Sequence, residues 1–313
     1  MPLHTIGSPG LWIGFVLIVL LILAFDLGVF HRKAHVVGYK EALGWSVVWI
    51  AVSLLFGGWV WMEFGREAGV EFLAGYVLEK SLSVDNIFVF IVIFSALGIP
   101  RVYQHRVLFL GIMGALLLRA TMILAGAAML ERFHWLMYVF GLFLIYTGVK
   151  VFFGGDDDDD PREGWVMRTA QRVMRTTTNL HGERFFAVEN GKLHATPLFM
   201  ALVLVEISDV IFAVDSIPAI FAITRDPFIV FSSNICAILG LRSLFFLLAE
   251  AVDKFRYLSV GLAFVLAFVG VKMVLSVEVF KIPAEISLVV ILAILGASIA
   301  ASIVAERRER RAE

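Results

Sequence analysis

Six side chains able to hold a hard cation fall in two matching apolar segments. Glu79, Asp85 and Asn86 lie in Glu79-Lys80-Ser81-Leu82-Ser83-Val84-Asp85-Asn86-Ile87. Asp209, Asp215 and Ser216 lie in Asp209-Val210-Ile211-Phe212-Ala213-Val214-Asp215-Ser216-Ile217. Each segment reads acid, five residues, Asp, Asn or Ser, Ile. A carboxylate at the centre of a membrane helix costs about 2.5–3.5 kcal/mol on insertion scales, so four of them in two related segments point to a functional task. An all-oxygen donor set suits manganese, magnesium or calcium, and manganese(II) takes an octahedral set of about six such ligands. Asp26, Ser83, Glu206 and Asn234 stand as outer candidates.

Apolar composition sets where this chemistry sits. The chain has 313 residues, 60% of them hydrophobic and only 17% charged. Its mean hydropathy is +0.90, far above a soluble domain, which is about 45–50% apolar. The expected class is an all-α polytopic membrane protein. Nine apolar runs are long enough to span, at roughly 11–30, 43–62, 75–97, 107–129, 135–153, 198–223, 228–250, 257–275 and 285–304. The first ten residues carry no Lys or Arg, so the first run reads as a span and not as a cleavable signal. An outside N-terminus places 17 Lys and Arg in inner segments and 4 in outer ones, with 5 in or at the ends of spans. That asymmetry predicts an outside N-terminus and a cytoplasmic C-terminus.

Segment 154–197 is the one long hydrophilic stretch, expected on the inner side. Asp156 to Asp160 reads as a solvated acidic run, and 165–174 as a basic amphipathic helix on the membrane surface. Arg184 to Thr196 alternates around Asn190-Gly191, which predicts a β-hairpin. The single Cys236 excludes an intramolecular disulfide and a Cys-based zinc site. The net charge of −1 gives no argument for a nucleic-acid partner. His31 and His35 read as part of a solvated basic loop, and Gly111 and Gly114 as helix packing.

The two acidic segments belong to a longer internal repeat. Leu118-Arg119 answers Leu241-Arg242, and Gly148-Val149-Lys150 answers Gly270-Val271-Lys272. Glu131-Arg132-Phe133-His134-Trp135-Leu136 answers Asp253-Lys254-Phe255-Arg256-Tyr257-Leu258. Each unit holds three spans, an odd number, so the two units enter the bilayer in opposite senses. The organisation read from this is two helices over 1–74, repeat 1 over 75–153, the inner loop 154–197, repeat 2 over 198–275, and a last helix with a basic tail over 276–313. A competing register pairs Asp85 with Asp209 through Asp-x-Ile-Phe; pairing Glu79 with Asp209 aligns both acids and needs no gap within the helix.

The segments around Glu79 to Asn86 and Glu206 to Pro218 closely resemble the two hallmark motifs of the TerC family. Asp26-Leu-Gly-Val-Phe30 and Ser233-Asn234 through Arg242-Ser243 resemble its further motifs. The resemblance runs from about residue 20 to 303, nearest the Alx branch. It implies an inner-membrane protein that handles divalent metal, with manganese efflux as the expected activity.

A regular helix turns about 240° in six residues, so Glu79 and Asp85 do not share a face, nor do Asp209 and Asp215. Either the paired acids serve different points on a pathway or the helix is broken between them; in the sixth span Pro218 supplies a cause for a break, since it removes the hydrogen bond to the Val214 carbonyl. Six residues also rise about 9 Å. Opposed spans then place Asp85 with Asp215 at the centre, Glu79 outward and Asp209 inward. Arg119 and Arg242 are expected to balance buried carboxylates. No bound cofactor and no catalytic residue is expected; the metal is cargo, the bilayer the surroundings, and the oligomeric state is open. An intramembrane aspartyl hydrolase is disfavoured because neither Tyr-Asp nor Gly-x-Gly-Asp flanks these acids. A scaffold for protein insertion, or for metal delivery to secreted proteins, is the alternative to transport.

Overall fold

A computed structural model of the chain describes residues 5–30, 38–133, 135–153, 175–189, 191–249, 257–278 and 282–312; side chains at 25–30, 85, 88, 131, 151, 258–259, 276–278 and 306–312 are outside that description. His31, His35, the acidic run 156–160 and the 165–174 segment therefore lie outside the described residues, as do the side chains of Asp26 and Asp85.

Among the described residues the architecture is an all-α membrane bundle with one small hairpin. Its helices are α1 (Pro9–Phe30), α2 (Tyr39–Phe64), α3 (Arg66–Ala96), α4 (Arg101–Arg132), α5 (Leu136–Phe152), α6 (Pro197–Phe221), α7 (Pro227–Ile238), α8 (Leu241–Leu248), α9 (Leu258–Glu278) and α10 (Ala284–Ala312). The hairpin pairs β1 (Phe186–Glu189) with β2 (Lys192–Ala195), Phe186 facing Ala195 and Glu189 facing Lys192. Gly191 turns the chain at φ +73°, a conformation that glycine adopts without a steric penalty.

Among the described residues, α2, α4, α6 and α10 are long and apolar enough to cross a membrane, and α7 with α8 makes a fifth span if the bent pair counts as one. The described apolar parts of α1, α5 and α9 are shorter. Helix α3 is 31 residues long but carries Arg66, Glu67, Glu71, Glu79, Lys80 and Asp85. A helix this polar is tolerated in a bilayer when neighbours cover it. Here α2, α6, α7 and α10 all pack on it.

Helix starts follow local chemistry. Pro197 opens α6 and Pro227 opens α7, where the missing N–H costs nothing. Asp226 caps α7 by accepting from the Phe228 and Ile229 amides at 2.8 and 3.3 Å. The same carboxylate accepts from the Thr5 hydroxyl at 2.9 Å and the Ile6 amide at 2.6 Å, tying the N-terminal segment to α7.

Two sequence expectations are corrected. The seventh run is not one helix: α7 and α8 meet at Leu239-Gly240 with a bend of 42°. Gly240 has φ +81°, and Trp49 of α2 lies so close that a Cβ would fall 2.6 Å from it. Conversely, α6 continues through Pro218 to Phe221. The proline falls in the last turn, where little helix remains to be redirected.

Contacts between the halves are reciprocal. A Cβ on Gly148 would meet the Ala263 carbonyl oxygen at 2.7 Å and the Ala267 nitrogen at 2.9 Å. A Cβ on Gly270 would meet the Gly141 oxygen at 2.7 Å and the Ile145 nitrogen at 2.9 Å. A shift of 122 positions converts Gly148, Gly141 and Ile145 into Gly270, Ala263 and Ala267, so each contact maps onto the other. Gly75 of α3 faces Ser233 of α7, and Gly111 of α4 faces Val205 of α6. Pairing Glu79 with Asp209 makes Val205 the counterpart of Gly75, and pairing Arg119 with Arg242 puts the counterpart of Ser233 at Leu110, next to Gly111. The Asp85–Asp209 register would instead give Gly75 the counterpart Phe199.

Candidate metal-handling site

The middle of α3 and the middle of α6 meet in a buried polar layer between two apolar clusters. One cluster takes Phe72, Ala74, Tyr76 and Leu78 from the first half of α3 with Ile217 to Phe221 from the end of α6. The other takes Ile87, Phe90 and Phe94 with Leu198 to Val205. Glu79, Ser83, Asn86, Asp209 and Ser216 lie between them, each no more than 3% exposed. A residue seven further along a helix comes back to nearly the same face, since two turns take about 7.2 residues. Glu79 with Asn86, and Asp209 with Ser216, are such pairs.

Arg119 of α4 is the hub. It is 1% exposed. Its Nε and Nη2 donate to the two Asp209 oxygens at 3.2 and 2.9 Å, a bidentate fork. Its Nη1 donates to Glu79 Oε1, and lies 3.5 Å from Ser216 Oγ and 3.4 Å from Asn234 Oδ1. Asn86 Nδ2 donates to Asp209 Oδ1 at 3.4 Å. This corrects the expectation of separate stations: Glu79 and Asp209 converge on one guanidinium instead of marking opposite ends of a path.

A cavity of about 60 Å³ opens beside this hub, lined by Glu79, Asn86, Arg119, Thr147, Asp215 and Ser216 with Leu82, Phe212 and Leu266. One water needs roughly 10–15 Å³ on this measure, so a cation with part of its hydration fits. Thr147 of α5 donates to Asp215 Oδ1 at 3.3 Å. Buried Glu79 Oε2 and Asn86 Oδ1 find no hydrogen-bond partner among the described residues. Three carboxylates and one guanidinium leave two negative charges on Glu79, Asp209, Asp215 and Arg119 when all are ionised. Among the described residues, no three His, Cys, Asp or Glu side chains converge as a ready metal cage.

The remaining candidates disperse. Ser83 Oγ donates to the Glu79 carbonyl of its own helix at 2.8 Å. Glu206 packs against Gly114, where its carboxyl takes the space a Cβ would need, and does not line the cavity. Asn234 is fully buried and joins the hub through Arg119. Arg242 lines a separate cavity with Trp45, Trp49 and Gly240. Asp26 and Asp85 are in helices, and their side chains lie outside the described residues.

Sequence reasoning missed Thr147 and Lys80. The Lys80 ammonium donates to the Ala237 carbonyl at 3.0 Å and the Leu239 carbonyl at 3.5 Å, two groups at the bend between α7 and α8. A glycine inside an apolar run, followed by Leu-Arg, was the only local signal of that bend. Lys80→Met keeps the aliphatic stem and removes the donor. It is expected to cost about 1–3 kcal/mol, the desolvation cost of carbonyls left without a partner. Amide exchange at 235–244 should rise; unchanged protection there would show that Lys80 does not hold the bend.

The sequence profile of the Integral membrane protein TerC family matches residues 64–310. The chain is 63% identical over 303 residues to "Uncharacterized membrane protein STKORF319" of Myxococcus xanthus, covering 97% of this chain and 95% of the relative. It is 46% identical over 302 residues to "Putative membrane-bound redox modulator Alx" of Salmonella typhi, with 94% of each covered. It is 45% identical over 302 residues to the protein of the same description in Escherichia coli strain K12, again covering 94% of each. No solved structure matches.

Proposed function

Because the chain belongs to the TerC family of integral membrane proteins, we propose that it moves divalent metal cations across the bilayer, manganese(II) foremost, and outward from the cytoplasm. The observation that carries this reading is the shared cavity. Glu79 from one half and Asp215 from the other line it, with the buried oxygens of Glu79 and Asn86 left without a protein donor among the described residues. Unpartnered acceptors at this depth are costly unless something positive binds them. Glu79, Asn86, Asp215 and Ser216 are the ligands in this reading, joined by Asp85. Oxygen donors without His or Cys favour manganese or magnesium over zinc or copper.

In the same reading nine spans cross an inner membrane, the two three-helix units are inverted, and the C-terminal end is cytoplasmic. The chain acts as a carrier and performs no bond-making step. The relatives described as redox modulators prompt a second question. Redox work through this chain's own thiols would rest on Cys236, which is 4% exposed. A lone cysteine cannot form a disulfide within the chain. Any effect on cellular redox balance is therefore assigned to the metal moved.

Manganese uptake into inverted vesicles tests the proposal. Asp215→Asn and Asp85→Asn are each expected to reduce uptake to the level of vesicles lacking the protein, with normal amounts inserted. Unchanged uptake in both would refute it.

A further inference from the structure

We propose that Arg119 is a tethered counter-cation: the divalent ion gains full use of Glu79 and Asp209 only by displacing its guanidinium. The inference rests on the metal-transport reading and adds the element that sets affinity and release. Its basis is that one side chain engages an acid from α3 and an acid from α6 at once. The guanidinium forks onto Asp209 at 2.9 and 3.2 Å and turns its remaining Nη1 to Glu79. It therefore occupies the space between two carboxylates that a bridging cation needs.

The engagement is incomplete on the Glu79 side. Oε1 is on the guanidinium, whereas buried Oε2 has no partner among the described residues. Asn86 shows the same division: Nδ2 reaches Asp209, and buried Oδ1 has no partner among those residues. Both residues line the cavity that also holds Asp215. An ion entering that cavity meets Asp215, the second Glu79 oxygen and the Asn86 oxygen first. It then competes with Arg119 for the rest of Glu79 and for Asp209.

A fixed internal competitor keeps binding weak enough for release, which a carrier needs. It also supplies a mechanical link. Nη1 of Arg119 reaches Asn234 on α7 at 3.4 Å, and Lys80, next to Glu79, reaches the carbonyls at the end of α7. Moving the guanidinium off Glu79 therefore changes the hold of α3 and α4 on the bent span. Arginine suits this role better than lysine, because its planar fork takes both Asp209 oxygens while Nη1 stays available for Glu79.

The test uses the full chain in nanodiscs, with Mn²⁺ alone as the probe and free Mn²⁺ read by its paramagnetic resonance signal. Arg119→Met removes the charge at similar length; Arg119→Lys keeps a cation without the fork. Arg119→Met is expected to bind Mn²⁺ at least tenfold more tightly than the parent, with Arg119→Lys between them. Mn²⁺ should also raise the melting temperature of Arg119→Met more than that of the parent, since the ion restores the missing charge. Equal or weaker binding by Arg119→Met overturns the inference. Should Arg119→Met fail to fold even with Mn²⁺, Arg119→Lys decides on the same criterion. Loss of parent flux in vesicles defeats the transport reading by itself. Parent flux without tightening in the arginine variants defeats only the counter-cation.

Discussion

Asp209→Asn is expected to destabilise the protein by about 3–5 kcal/mol, the usual consequence of removing one partner from a buried ion pair. The substituted amide could accept through its single oxygen only, where the carboxylate now takes the Nε and Nη2 fork at 3.2 and 2.9 Å. Its nitrogen would face a guanidinium that is itself all donors. Arg119 would keep Glu79 alone, in a site 1% exposed. Glu79→Gln should cost less, because the Asp209 fork survives. The decisive comparison is Asp209→Asn with Arg119→Met added. Each substitution breaks the same fork, so the double variant should cost less than the sum of the two singles, although Glu79 then loses its cation. Unfolding of the purified variants in one detergent gives the cycle, and a coupling energy near zero would show that the pair does not act as a unit.

The same residues show what the chain's order of amino acids reveals and where it stops. Glu79, Asp215, Asn86 and Ser216 were legible because polar groups in apolar runs are few and costly, and all four line the cavity. Their partnering was less legible. Attention to pairs six apart, such as Asp209 and Asp215, hid the pairs seven apart that share a face. The inward station assigned to Asp209 and the outward one assigned to Glu79 ignored the reach of Arg119, whose long side chain gathers acids from two helices. That convergence depends on α4 packing against α6, which periodicity cannot supply. Arg242, the answer to Arg119 in the repeat, lines a second cavity beside Trp45 and Trp49. The bend was misplaced because a proline is a louder signal than a glycine. Pro218 sits in the last turn of α6, while Gly240 alone can take φ +81° against Trp49 without strain.

The glycines between α5 and α9 make the halves' equivalence measurable. Gly148→Ala and Gly270→Ala are each expected to cost about 1–3 kcal/mol, the range for overfilling a close-packed interface. The added methyl has nowhere to go. At Gly148 it meets the Ala263 carbonyl oxygen at 2.7 Å, and at Gly270 it meets the Gly141 carbonyl oxygen at 2.7 Å. These neighbours are backbone, so relief requires the helices to part, and parting them also withdraws Thr147, one residue from Gly148, from Asp215. Because one parting of α5 from α9 relieves both methyls, the double variant should lose less than the sum of the single costs. Because the two positions map onto one another, their single costs should be similar. Gly44→Ala and Gly296→Ala, where nothing lies within 4 Å of the new methyl, should instead be neutral or gain up to about 1 kcal/mol from helix propensity. Thermal unfolding of the four single variants separates these outcomes. A large cost at Gly148 beside none at Gly270 would break the equivalence of the halves, and with it the argument that one cavity draws its ligands from two opposed copies of the same unit.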